Sequence, residues 1–148
     1  MAEDRIEREI VVAAPRERVW QIITQAEHLG KWFGESAEVD LRPGGTIALR
    51  WEKYGTFYAT IEKIDEPQYL SYRWIPGTPG EKPGKENSTL VEFTLTPQGG
   101  KTKLQVVETG FSRLPRSESE RAEQFNDNSD GWASELRDLQ QYVEQLPV

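Results

Sequence analysis

Two charged residues stand where the strand pattern calls for apolar ones. Glu108 falls in phase with Leu104 and Val106, and Arg8 falls in phase with Ile6 and Ile10, so each is expected to point inward. A bare carboxylate in a protein interior is costly unless it is paired or protonated. Glu108 is therefore the first candidate for chemistry, with Arg8 as the charge that could answer it.

Other constellations carry less. The only histidine is His28, and no zinc-type partner lies near it, so a histidine metal centre is not expected. A Ser-His-Asp arrangement has no serine placed beside His28, which reads as a surface helix residue. Arg42-Pro43-Gly44-Gly45 lacks the lysine and serine of a phosphate loop and reads as a turn. The run Asn126 to Asp130 resembles a calcium loop but lacks the closing glutamate. No catalytic set, metal ligand or cofactor is assigned.

Composition narrows the partners. A chain of 148 residues suffices for one domain, 1–148, with a real core. A net charge of -7 and a pI near 4.9 argue against nucleic acid and anionic membrane surfaces. The absence of cysteine excludes disulfides and thiolate metal sites. The charged start, Met1 to Arg5, lacks the apolar region of a signal peptide, and no apolar run reaches membrane-spanning length. A soluble, cytoplasmic protein is expected.

The elements that must position Arg8 and Glu108 follow from periodicity. Residues 5 to 12 alternate as a strand. Pro15 suits the first turn of a helix with Val19, Ile22 and Ile23 on its buried flank, and a second short helix runs from about Ala26 to Lys31. Six strand patterns follow: Glu35 to Leu41, Thr46 to Trp51, a run through Phe57, Ala59 and Ile61, another through Leu70, Tyr72 and Trp74, then Val91 to Leu95 and Leu104 to Glu108. Residues 76 to 88, rich in proline and glycine, form a long mobile loop.

The chain closes on an amphipathic stripe, Phe125, Ser129, Trp132, Leu136, Leu139, Val143 and Leu146. Ser117 with Glu120 offers a capping box and Pro147 a stop, which gives a helix roughly 40 Å long. Asn126 to Gly131 are poor helix formers, so two helices are an alternative. We read one, with Gly131 allowing the backbone to approach a sheet closely. Glu135 falls off the stripe and is expected to face water.

Consecutive strands with helices at two points indicate an α+β domain with an antiparallel sheet of six to seven strands. Such a sheet curls, and the last helix can lie on its concave side. The aromatic residues between them either fill the space as core or line a partly open cavity.

Taken in order, several stretches resemble the START-like, or SRPBCC, superfamily. They are Ala13 to Trp20, His28 to Phe33, Tyr69 to Trp74, Thr89 to Phe93, Thr102 to Leu104, Gly110-Phe111 and Gly131-Trp132. The similarity is closest to domains homologous to the activator of the ninety-kilodalton heat-shock protein ATPase. It implies a helix-grip, birch-pollen-allergen-like fold, in which a curved antiparallel sheet holds the C-terminal helix over a cavity. In that fold the first and last strands are neighbours, so Arg8 and Glu108 are expected to meet as a polar spot in the cavity wall; the alternative leaves them at the rim in water.

The implied cavity lining is Trp51, Phe57, Tyr72, Trp74, Phe93, Val106, Trp132 and Leu136. Trp32 and Phe33, with Phe111 to Pro115, would stand at its mouth or anchor a turn in the core. Three functions are implied. The first is binding of a hydrophobic or amphipathic small molecule. A cyclase or hydratase would use Glu108 as base and Tyr58 or Tyr72 as donor. The third is a co-chaperone role with a heat-shock ATPase as partner, although the co-chaperone carries an additional N-terminal domain for which this length leaves no room.

Overall fold

In a computed structural model, the structure describes residues 4–76, 80–81, 83–84 and 86–146. Seven strands form one antiparallel sheet: β1 Arg5–Val12, β2 Ser36–Val39, β3 Thr46–Trp51, β4 Gly55–Asp65, β5 Tyr69–Trp74, β6 Thr89–Gln98 and β7 Lys101–Thr109. Their spatial order is β1-β7-β6-β5-β4-β3-β2. The chain thus meanders from β2 to β7 by successive neighbours, and β1 closes the far edge beside β7. This is the helix-grip architecture.

Two short helices, α1 Arg16–Thr24 and α2 Ala26–Trp32, connect β1 to β2. Pro15 is the N-cap of α1 rather than its first helical residue. Val19, Ile22 and Ile23 are buried as the spacing predicts, and Trp20 joins them. The turn before β3 needs glycine at position 45, where an added Cβ would lie 2.0 Å from the Asp40 carbonyl oxygen.

The C-terminal helix, α3 Glu118–Gln145, is continuous over 28 residues. Its capping box is present: the Glu120 backbone N–H donates to Ser117 Oγ at 3.2 Å, and the Ser117 N–H donates to Glu120 Oε1 at 3.0 Å. Pro147 lies outside the described residues, as does part of the loop 76 to 88. Trp132, Leu136, Leu139 and Val143 are buried, each contributing roughly 1.5–3 kcal/mol by the usual measure of apolar burial.

One bond within the helix and two tertiary ones carry α3 through its weak middle. Gln124 donates to Asn128 at 2.7 Å, Arg8 on β1 donates to Ser129 Oγ at 2.8 Å, and Asn128 donates to Glu108 at 3.0 Å. The reason proposed for Gly131 is corrected. A Cβ there would meet nothing within 4 Å, so the glycine faces open space and not a close approach to the sheet. No helix among the described residues is long and apolar enough to cross a membrane.

Candidate ligand pocket

Glu108 is the polar centre of the interior. It sits on β7 opposite Ile6 with a solvent exposure of 0%. Its carboxylate accepts four side-chain bonds. Oε2 takes the Trp74 indole N–H at 2.8 Å and the Thr89 hydroxyl at 2.5 Å, while Oε1 takes the Trp132 indole N–H at 2.8 Å and the Asn128 amide at 3.0 Å. An indole N–H can only donate, so this site is built around an acceptor. Strands β5, β6 and β7 and helix α3 are tied together at one carboxylate.

The inward direction expected for Glu108 is therefore found, but its expected partner is not. Arg8 faces the same side of the sheet, yet the register sets it opposite Val106, and its guanidinium reaches Ser129 of α3. Among the described residues no ion pair joins Arg8 to Glu108. Four neutral donors, two of them tryptophans whose polar role is invisible to hydropathy, do what one arginine was expected to do.

Beside this centre lies a pocket of about 410 Å³ between α3 and strands β3 to β5. Its aromatic wall is Phe33, Trp51, Phe57, Trp74 and Trp132, and Tyr54 and Pro76 also line it. The rings brace one another. Phe33 stands 5.6 Å from Trp51 and 5.5 Å from Trp132, and Trp74 stands 5.9 Å from Trp132, centroid to centroid. Because Trp74 and Trp132 also donate to Glu108, the floor of the pocket is fixed from behind.

The helical side is polar. Gln124, Asn128, Gly131 and Glu135 line the pocket at steps of three and four residues, one position before the buried stripe, and Asp127 joins them. Glu135 is half-buried, which corrects the expectation that it faces water. Burial pushes its carboxyl up to about 7, helped by the like charge of Asp138. The Tyr72 hydroxyl is buried without a hydrogen-bond partner, and its pKa is raised by burial and then by Glu108 and Glu135.

Of the residues named for a cavity, Phe33, Trp51, Phe57, Trp74 and Trp132 stand in this lining. The others lie elsewhere. Tyr72 and Phe93 border a separate void of about 10 Å³ with Phe33, and Val106 and Leu136 are packed core. Trp32 is only 3% exposed and donates its indole N–H to the Ile22 carbonyl at 2.9 Å, which makes it the anchor behind Phe33 and not a gate. Phe111 and Leu114 are likewise buried away from the lining.

The acid and base sketched for an enzyme are not assembled in the pocket. Glu108 is saturated by four donors, and Tyr58 alternates with Phe57 and so points to the opposite face of the sheet. Among the described residues no cluster of histidine and carboxylates could hold a metal ion.

Residues 13–144 match the family described as Activator of Hsp90 ATPase homolog 1-like protein. No curated protein matches the chain. Among solved structures, the Aha1 dimer from Colwellia psychrerythraea is similar at a TM-score of 0.77 and 18% identity, over 97% of this chain and 98% of that one. An Hsp90 activator from Plasmodium falciparum gives 0.75 and 19%, over 96% and 97%. DynU16, from the dynemicin biosynthetic locus, gives 0.76 and 22%, over 97% of this chain but 48% of DynU16. At these identities the likeness is one of fold.

Proposed function

The chain belongs to the family of Activator of Hsp90 ATPase homolog 1-like proteins, within the START-like superfamily, and from that premise we propose that it is a binding domain for a hydrophobic or amphipathic small molecule. All 148 residues would act as this one domain, in the cytoplasm. The observation that carries the reading is the pocket itself: about 410 Å³, walled by Phe33, Trp51, Phe57 and Trp74 facing α3, with Trp132 and a polar stripe on the helix. That volume and that mixture of an apolar wall with few polar groups are typical of small-molecule sites. The place of DynU16 in a biosynthetic locus is compatible with a small-molecule ligand.

The test is a thermal-shift screen against amphiphiles and aromatic ligands, run in parallel on Gly131→Phe. A ligand at one hundred times its Kd is expected to stabilise the protein by about 2.7 kcal/mol through mass action. The variant, which places a ring in the open space beside Gly131, is expected to lose the effect. No shift with any ligand, or equal shifts in both proteins, would count against the pocket.

Family membership favours a second reading, in which an exposed surface contacts a heat-shock ATPase, since the similar Plasmodium falciparum protein is an Hsp90 activator. It is tested by adding the chain to such an ATPase and measuring turnover. Stimulation that survives Gly131→Phe would separate this role from the pocket.

A further inference from the structure

We propose that the pocket selects a cationic amphiphile, whose apolar body lies against Trp51, Trp74 and Trp132 and whose protonated amine or quaternary ammonium sits beside Glu135. The proposal rests on the small-molecule reading above and gives that ligand a charge.

Glu135 lines the pocket, half-buried, and its carboxylate makes no hydrogen bond or ion pair with any described residue. A carboxylate in such a place lacks the counter-charge that would offset its burial. Its titration, raised by burial and by Asp138, carries no compensating contribution from a cation. Asp127 adds a second acidic group to the lining, and no lysine or arginine is found among the described lining residues. Arg116 donates to two lining residues, Gln124 at 3.1 Å and the Pro76 carbonyl at 2.7 Å, but it does not itself line the pocket.

The aromatic part of the lining suits the same ligand. Three tryptophans stand in it, Trp51 and Trp74 from the sheet and Trp132 from α3, and give the apolar body its contact. Gly131 lies one turn before Glu135 on α3 and leaves free space where any other residue would project. A ligand can therefore enter along the helix and reach the carboxylate with its charged end. A fatty acid would instead bring a third negative group to two carboxylates, on a chain of net charge -7.

The experiment compares decyltrimethylammonium, decanol and decanoate below their micellar concentrations, by calorimetry, on the full chain. The ammonium compound is expected to bind about tenfold more tightly than decanol, with decanoate weakest. Glu135→Gln is expected to bring the ammonium compound down to the level of decanol and to leave decanol unchanged. Glu144→Gln, an equal loss of charge at an exposed position of the same helix, is expected to change neither. Equal affinities for the three probes, or no effect of Glu135→Gln, would overturn the charge preference while leaving the pocket as a binder. No binding of any probe would overturn both.

Discussion

Glu108 of β7 accepts the indole N–H of Trp132 of α3 at 2.8 Å. Through this bond the terminal helix is held against the sheet at a fixed rotation, with Trp132 turned toward the pocket on one side and the core on the other. The same carboxylate orients Trp74 from β5, so two of the three tryptophans that line the pocket share one anchor.

Removing that anchor is expected to be expensive. Glu108→Leu leaves two indole donors, an amide and a hydroxyl without their acceptor, each worth about 1–3 kcal/mol when stranded in the interior, and a net loss of roughly 3–5 kcal/mol is expected. Trp132→Ala should cost about 3–5 kcal/mol for the lost ring, whereas Trp132→Phe keeps most of the ring and loses chiefly the bond. Urea denaturation of the three variants checks the ordering. A loss below about 0.5 kcal/mol for Trp132→Ala would mean that the ring is not held under the sheet.

Gly131→Ala is expected to stabilise the protein by about 1 kcal/mol, the usual difference between the two residues inside a helix. The added Cβ meets nothing within 4 Å, so no steric cost offsets the gain. A destabilised variant in thermal or urea unfolding would show that position 131 is crowded.

Stability should also depend on pH through Glu135. Its carboxyl is raised from the ordinary 4.5 to about 7 in the folded chain, so the folded state holds this proton more tightly than the unfolded one. The resulting stabilisation is fully present below pH 4.5 and is lost as pH rises through about 7. Glu135→Gln is expected to flatten this part of the profile and to raise stability at pH 8 by roughly 1–2 kcal/mol, allowing for solvent at a half-buried site. Urea midpoints of both proteins from pH 5 to 8 provide the measurement; parallel curves would contradict it.

The fold was largely legible because its elements announce themselves by period and by end signals. Alternation placed Thr46 to Trp51 as β3 to the residue, and Ser117 with Glu120 marked the start of α3. Alternation also set the direction of Glu108, since a period of two decides which face a strand residue takes. It could not name the partner, because register and the helix above the strand decide what lies within reach. Arg8 is two residues from the pairing position and finds Ser129 instead.

The site was half legible for a related reason. Strand aromatics such as Trp51, Phe57 and Trp74 must face inward, but whether they meet core or open space depends on where the helix rests. Helix α3 is held against β1 and β7 by Arg8, Gln140 and Glu108, and it stands off from β3 to β5. The residues one position before its buried stripe, Gln124, Asn128, Gly131 and Glu135, therefore face the gap. Their polarity made them look like a solvated flank. The available signal was a glycine inside an otherwise sound helix, which costs stability and so asks for a reason.

Nuclear magnetic resonance of the five indole N–H groups during a titration with neutral decanol tests the pocket most directly. The signals of Trp51, Trp74 and Trp132, which line it, are expected to move together and saturably, while those of Trp20 and Trp32, buried among the short helices, stay in place. Immobile signals at all five positions, or shifts at Trp20 and Trp32 as large as at the other three, would contradict a ligand held between α3 and the sheet.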